Sequence, residues 1–312
     1  MKKRLLTGIQ SSGTLHIGNY FGAIKPFLDM SEAYDSMLMV ADYHALTSLH
    51  DPATMRANIV NVVKDYLAVG VNPADVTIFK QSDVPEHTEL AWVFDCLVTV
   101  PFLSQAHAYK DKVAKGLEAN AGLFTYPMLM AADILLYDTD VVPVGADQRQ
   151  HVEYAREAAM KFNNAFGDTF KEPQERIMES IAIVPGTDGK KMSKSYANTI
   201  PLFGTKDEIA RAVMGIVTDS TGDKPEYVHA IHKLFQADGD LMPLYEEHKG
   251  KYKHLKEALI EDIEKLIAPM RETRDQITET DVRTVLAEGA IRARKEAGAK
   301  MEEVREKVGV KL

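Results

Sequence analysis

LLTGIQSSGTLHIGNYFGAI, residues 5–24, begins as an apolar run, breaks at a turn bearing Ser11, Ser12 and Gly13, and resumes with a helix pattern. A strand that ends at Thr7 or Gly8 and feeds a helix through a Gly-rich turn is the opening unit of a parallel α/β sheet. Thr14 is placed to cap the helix. His16 and Asn19, three residues apart, then share a face in its first turn, near the positive end of the helix dipole. Gly18 removes side-chain bulk between them, so a ligand can lie against the main chain. Free N–H groups, an imidazole and a carboxamide make a phosphate-binding corner. Such a turn is also often no more than a tight connection. Neither of the commoner nucleotide loops is present: no G-x-G-x-x-G follows a strand, and no G-x-x-x-x-G-K-[ST] occurs.

Outward from this unit, MLMVAD (37–42), VTIFKQS (76–82) and VVPVG (141–145) repeat the short apolar run of LLTG (5–8). Helix patterns fall between them at about 17–31, 53–69, 87–99, 126–137 and 147–163. The alternation predicts an α/β fold, a Rossmann-like parallel sheet with helices on both faces. From about residue 202 the strand signals fade, and KDEIARAVMGIV (206–217) and HLKEALIEDIEKLIAPM (254–270) read as helices. A last helix from about Asp281 sets Val282, Val285, Leu286, Gly289 and Ala293 on one stripe. Its small residues imply close packing, back against the first domain. The expected organisation is a catalytic domain over 1–200, closed by the helix at about 281–312, and a smaller all-helical domain over 201–280.

Composition narrows the class. The chain carries 46 acidic and 37 basic residues, a net charge of −9, which argues against a large sequence-blind nucleic-acid surface. Cys96 is the single cysteine, so neither an intrachain disulfide nor a cysteine-built metal site can form. His229 and His232 are three apart but lack a carboxylate or cysteine set, and read as ordinary helix residues. The basic start MKKRLLTGIQ is not followed by an apolar segment of signal-peptide length. The apolar stretch 121–137 is short for a membrane helix and is interrupted by Pro127 and Asp133. A reducing, cytoplasmic setting fits best.

Two further stretches carry chemistry. VPGTDGKKMSKSYANTI (184–200) sets Lys190, Lys191 and Lys194 beyond a glycine-flanked turn, with hydroxyls at Ser193 and Ser195. A loop bearing ammonium groups can close on a polyphosphate and neutralise charge on a leaving pyrophosphate; charge runs are also commonly just solvated surface. AGLFTYPMLMAADILLY (121–137) hides one charge, Asp133, in an apolar helix. Steps of four, three and four place Tyr126, Met130, Asp133 and Tyr137 on one face, with Pro127 in the first turn of the helix. A buried carboxylate must be paired, hydrogen-bonded or protonated. It is either a structural anchor or the acceptor for a ligand donor.

HIGN (16–19) and KMSKS (191–195), in this order around a parallel α/β half, resemble the two signatures of class I aminoacyl-tRNA synthetases. With ADYHALT (41–47), TYPMLMAADILLY (125–137) and VPVGADQRQHVE (142–153), the chain is similar throughout to the tryptophanyl-tRNA synthetase family. The resemblance implies ATP and Mg²⁺ as cofactors, L-tryptophan and tRNA(Trp) as partners, a homodimer, and anticodon binding by the 201–280 domain. It implies catalytic roles for His16, Asn19, Lys191 and Lys194. ATP would meet Gln10, Ser11, Ser12, Gly18, Asn19, Gly145, Asp147, Ile183, Lys191, Met192, Ser193, Lys194 and Ser195, with Lys112 a helper. Tryptophan would meet Asp133, Tyr126, Met130, His44, Gln148, Val142, Val144, Leu6 and Gly8. Asp133 would accept the indole N–H, and Gln148, with Tyr126, would hold the head group. Three positions depart from the family pattern: Ser11 where proline is common, Ala146 where many members carry Glu, and Leu6 where an aromatic sometimes stands. A tyrosyl-tRNA synthetase, and a binding paralogue that does not charge tRNA, are the alternative readings.

Overall fold

Five strands, β1 (Arg4–Gln10), β2 (Asp35–Ala41), β3 (Val76–Lys80), β4 (Val141–Val144) and β5 (Gln174–Ile177), form one parallel sheet in the order β3-β2-β1-β4-β5. The computed structural model describes residues 2–10, 13–144, 149–177, 184–218, 225–236 and 239–312, with main chain only at 144, 149 and 175–177. The first four strands stand where apolar runs were expected. β5 was not anticipated, because its sequence, QERI, carries no apolar run.

Side chains alternate across the sheet with the strand period of two. Leu5, Leu38, Val40 and Ile78 enter one core, and Leu6, Met37, Met39 and Phe79 the other. The first core runs on through Ile17, Ile24, Met192, Ile200 and Leu202 to Ile209, Val213, Val228, Ile231 and Ile263 of the C-terminal helices. The second core is closed by helices Glu86–Asp95, Ala121–Leu135, Arg149–Phe166 and Glu279–Lys307. Among the described residues, no helix is long and apolar enough to cross a membrane.

Two local differences from expectation have clear causes. The helix predicted over 17–31 is interrupted: Ile17–Asn19 is α-helical, Tyr20–Ile24 is a π-helical turn, and Lys25–Ser31 is α-helical again. Such turns add a residue to the helical repeat and commonly sit at functional sites. Its N-cap is His16, not Thr14. The helix carrying Asp133 starts at Ala121, capped by the Asn120 side chain, which accepts the Leu123 N–H at 2.8 Å. Pro127 therefore lies inside that helix and not in its first turn.

The order of strands reverses direction at β1, so the crevice between β1 and β4 is the switch point where open α/β sheets bind ligands. β1 pairs with β2 over seven residues, Arg4 to Gln10, but with β4 only at Leu5↔Val141. Pro143, which has no N–H to donate, stands in β4 beyond that single pair. The strands part there, and the gap is the mouth of a cavity.

The Glu279–Lys307 helix is capped by Thr278, whose hydroxyl and N–H are reciprocally bonded with Asp281. It lies so close to β3 that a Cβ on Gly289 would stand 1.7 Å from the Ile78 carbonyl oxygen. Arg292 donates to the Pro73 carbonyl at 2.9 Å beside it. Gly289→Ala must push helix and strand apart, and overpacking of this kind costs about 1–3 kcal/mol. A lowered urea midpoint at unchanged slope is the expected result.

Candidate functional site

The gap between β1 and β4 opens into a cavity of about 560 Å³. Its lining includes Leu6, Gly8, Ile9 and Gln10 of β1, Met39 and Ala41 of β2, and Val142 and Pro143 of β4. The Ala121–Leu135 helix supplies Tyr126, Met130 and Asp133; His44, Phe27, Tyr66 and His151 complete much of the wall. Leu6, Gly8, His44, Tyr126, Met130, Asp133 and Val142, expected around tryptophan, share this lining, and Gln10, expected on ATP, lies in it with them. Tyr137 does not: it lies past the helix end, is almost fully buried, and faces away from the cavity wall as the partner of His87.

Asp133 is 3% exposed, and its carboxylate is surrounded by donors. His44 Nε2 lies 2.8 Å from Oδ2, Gln81 Nε2 donates to Oδ1 at 2.8 Å, and His87 Nδ1 lies 2.6 Å from Oδ1. Burial alone would push the carboxyl up, but His44 and His87 outweigh it and hold its pKa at about 2. The group is ionised at any ordinary pH. Tyr137 O–H sits 2.8 Å from His87 Nε2, fixing that ring from behind. His87 Nδ1 stands beside the carboxylate by charge proximity, without a hydrogen bond to it. A carboxylate has about four acceptor positions; His44 and Gln81 occupy one on each oxygen, so Asp133, which lines the cavity, keeps acceptor capacity for a further donor.

At the cavity's other wall, Tyr126 O–H and His151 Nε2 are 3.3 Å apart with rings edge to face. His44 meets the same Tyr126 ring edge-on at 6.3 Å. The cavity is an aromatic-rimmed apolar slot with one fixed negative acceptor at depth, a shape and polarity that suit a flat ring carrying one N–H.

The phosphate corner and the lysine loop are built as one piece. His16 Nδ1 accepts the Asn19 N–H at 3.3 Å, and Asn19 Oδ1 accepts the His16 N–H at 3.1 Å. This reciprocal cap leaves His16 Nε2–H and the Asn19 amide N–H₂ as donors. A Cβ on Gly18 would stand 2.9 Å from His16 Nδ1 and 3.3 Å from Met192 Cβ. Glycine is thus required for the two signatures to touch. Ile17 N–H donates to Ile200 O, and Leu202 N–H to Leu15 O, each at 3.0 Å. The Lys194 side chain lies along Gly13, where a Cβ would meet Nζ at 3.4 Å.

Loop 184–200 is a hairpin, with Met192 N–H bonded to Val184 O at 2.9 Å. Its organiser is Asn198, 2% exposed, which accepts the Ser193 N–H at 2.8 Å and donates to Asp188 Oδ1 at 2.6 Å. Gly186 is forced by it, since a Cβ there would meet the Asn198 carboxamide at 2.3 Å. Lys191 and Lys194 are exposed, and the Ser193 and Ser195 hydroxyls are 2.9 Å apart. Met192, expected among ATP contacts, turns its side chain into the core and anchors the hairpin. Lys112 sits in helix His107–Ala114, which offers Ala108 to the cavity, but it is not itself part of the lining. Ser11, Ser12, Gly145, Ala146, Asp147, Gln148 and Ile183 lie outside the described residues, and Val144 is described in its main chain only. His232 is a structural histidine, 2.9 Å from Asp262 Oδ2 and 3.2 Å from Tyr245 O–H. Among the described residues, no group of three or more His, Cys, Asp or Glu could hold a metal ion.

Gln81, His87, His151 and Asn198 went unrecognised in the sequence. Each acts through a partner distant in sequence or through loop geometry. The available hints were a polar residue closing the β3 run, for Gln81, and a histidine at a helix start, for His87.

A family model described as class I tRNA synthetases (W and Y) matches residues 1–286. A tryptophan–tRNA ligase of Fusobacterium nucleatum is 48% identical, over 99% of this chain and 98% of its own. A crystal structure of the Campylobacter jejuni tryptophanyl-tRNA synthetase complexed with ADP and tryptophan superposes with a TM-score of 0.93 at 42% identity, covering 98% and 99% of the two chains. The Mycoplasma pneumoniae tryptophanyl-tRNA synthetase superposes at 0.87 with 29% identity, covering 99% and 98%.

Burial, reinforced by the Lys194 ammonium, lowers the His16 pKa from 6.5 to about 4. Between these values the unfolded chain takes up a proton that the folded chain refuses. Stability should therefore rise with pH across about 4 to 6.5 and level above it. His16→Gln is expected to flatten that part of the profile, read as urea midpoints over a pH series.

Proposed function

We infer the division of labour within the site from one premise: the chain belongs to the class I tRNA synthetases for tryptophan and tyrosine, and within them to the tryptophan–tRNA ligases. Its reaction is ATP-dependent. Tryptophan and ATP give tryptophanyl-adenylate and pyrophosphate, and the tryptophanyl group then passes to the 3′-terminal ribose of tRNA(Trp).

Asp133 carries the residue-level reading. Its remaining acceptor capacity at the base of an apolar slot takes the indole N–H, and His44, His87 and Gln81 keep it ionised and aimed. Tyr126, Met130, Leu6, Gly8 and Val142 enclose the ring, and Gln148 and Val144 complete the subsite. Phenylalanine would leave the acceptor unpaired, and sites built around a substrate hydrogen bond reject such analogues by about 10⁴–10⁵. Tyrosine donates from another position, so the slot's shape excludes it.

ATP lies across the HIGN corner. Neutral His16 donates through Nε2–H and Asn19 through its amide N–H₂ to phosphate oxygens, and Gly18 lets the phosphates approach. Gln10, Ser11, Ser12, Gly145, Asp147 and Ile183 hold the rest of the nucleotide, with Lys112 assisting. A tryptophan carboxylate oxygen attacks the α-phosphorus, the bond to the bridging oxygen breaks, and pyrophosphate leaves with Lys191, Lys194 and the Ser193 and Ser195 hydroxyls around it. No protein nucleophile is needed; positioning and charge stabilisation lower the barrier. Mg²⁺ would supply further charge neutralisation at the phosphates, beside His16, Asn19, Lys191 and Lys194.

Residues 201–280 form the anticodon-binding unit, and 1–200 with the last helix the catalytic one. The chain works as a homodimer. Trp92 at 70% exposure and Val100 at 68% supply apolar surface for the contact. Trp92 is the sole tryptophan, so its fluorescence should shift to longer wavelength as dilution separates subunits.

Pyrophosphate exchange into ATP should depend on tryptophan alone among the twenty amino acids, with total tRNA then charged. Asp133→Ala is expected to lower kcat/KM for tryptophan about 10- to 100-fold, the worth of a hydrogen bond to a charged group, while sparing ATP affinity. Unaltered tryptophan kinetics would sink the indole-acceptor role. Lys194→Ala should slow activation but leave ATP-free tryptophan binding intact.

A further inference from the structure

The turn of the lysine hairpin is seated on the C-terminal helices. Gly189, which closes that turn by donating to Gly186 O at 3.0 Å, has φ +81°. A Cβ on it would stand 2.2 Å from Cζ and 2.3 Å from Cε2 of Tyr227, so the aromatic ring lies directly against the glycine main chain. Two residues earlier, Thr187 O accepts the Val217 N–H at 2.8 Å. Val217 follows helix Lys206–Met214, and the chain between them is held by Lys256, a buried lysine of helix Tyr252–Gln276. Its Nζ donates to Met214 O at 2.8 Å and to Ile216 O at 2.7 Å.

Tyr227 stands in the first turn of helix Glu226–Phe235. The last residue of that helix, Phe235, meets Phe21 edge to face, with ring centroids 4.9 Å apart. Phe21 belongs to the π-helical turn that follows HIGN. The rise of an α-helix sets Tyr227 and Phe235 about 12 Å apart along its axis. One helix thus touches the turn of the lysine hairpin at one end and the segment after the phosphate corner at the other. That segment is fixed to the core by Ile17 and Ile24. The returning arm of the hairpin is anchored at Met192, against Gly18, and its turn at Tyr227. Lys190 and Lys191 lie on the arm between these two anchors.

Given the pyrophosphate role of Lys191 and Lys194, on which this reading rests, we propose that Tyr227 and Phe235 are positioning residues for the leaving pyrophosphate. Helix Glu226–Phe235 is a strut: it takes its place from Phe21 beside HIGN and seats the turn of the lysine hairpin through Tyr227. Cutting either ring from the strut frees the turn, and the Lys191 ammonium is then no longer held at a fixed distance from the corner that binds the same phosphates. The tryptophan slot and the nucleoside end of ATP are not touched by the strut, so its loss acts on the phosphate tail alone.

Tryptophan-dependent pyrophosphate exchange, read beside calorimetric binding of AMP and of tryptophan alone, tests this. Tyr227→Ala and Phe235→Ala should each lower kcat/KM for ATP by about 5- to 30-fold, because a small misplacement of a positioned group is costly. Affinities for AMP, which lacks the leaving phosphates, and for tryptophan without ATP should stay within about twofold of wild type. A merely structural helix would weaken all three. Tyr227→Phe, which keeps the ring on Gly189, should restore exchange. Since both rings belong to one strut, the double variant should be no slower than the slower single one, within about twofold. Effects that multiply, unchanged ATP kinetics in Tyr227→Ala, or weakened AMP and tryptophan binding overturn the proposal. If Tyr227→Ala does not fold, Tyr227→Leu, which keeps apolar bulk, is read for the same outcomes. If Lys191→Ala exchanges at the wild-type rate, the pyrophosphate role of that lysine falls and this proposal with it. If Lys191→Ala is slow and Tyr227→Ala is silent, this proposal alone falls.

Discussion

An ionised carboxylate inside an apolar helix has to be answered from elsewhere in the chain, and Asp133 is answered from three elements. His44 comes from the turn after β2, Gln81 from the end of β3, and His87 from the start of helix Glu86–Asp95. Each crosses the sheet's C-terminal edge to reach the carboxylate, so the ends of β2 and β3 and two helices are pinned to one point. Removing a buried charge from water costs several kcal/mol unless it is fully compensated. That cost ties the pocket's shape to the presence of the acceptor. The same group that would read the ligand also fixes the wall it is read against.

The second constraint is contact between two loops that are far apart in sequence. Gly18, His16 and Met192 meet with no room for another carbon. The phosphate corner and the lysine hairpin are therefore not independent modules that happen to face each other. The hairpin's body is fixed by Asn198 and its core anchor Met192, while its lysines remain exposed. Rigid support beneath charged, solvent-facing tips is what transient closure on a polyphosphate requires.

Much of this was legible in the sequence, for definite reasons. Parallel strands buried on both faces announce themselves as apolar runs, which revealed β1 to β4. β5 lies at the sheet edge with the polar sequence QERI and gave no such signal. The face of Tyr126, Met130 and Asp133 followed from helical spacing, but spacing alone carried Tyr137 onto that face, because nothing local announced that the helix stops at Leu135. His16 displaced Thr14 as the cap by bonding reciprocally with Asn19, which preference rankings do not foresee. Partners of Asp133 such as His87, 46 positions away, depend on topology, and topology is not local information.

The close seat of Gly289 on Ile78 has a consequence for how the molecule comes into being. β3 is an edge strand, and Ala293, Ala297, Met301 and Val304, which fill the core on one of its faces, are translated roughly two hundred residues after it. A nascent chain emerging from the ribosome can pair β1, β2 and β3 and lay helices Glu86–Asp95 and Ala121–Leu135 beside Phe79, but it must wait to complete the cover. Until residues 279–307 are made, β3 lacks the helix that seats on Ile78, and its edge is a surface that invites association. The last helix is thus the element whose synthesis completes the core.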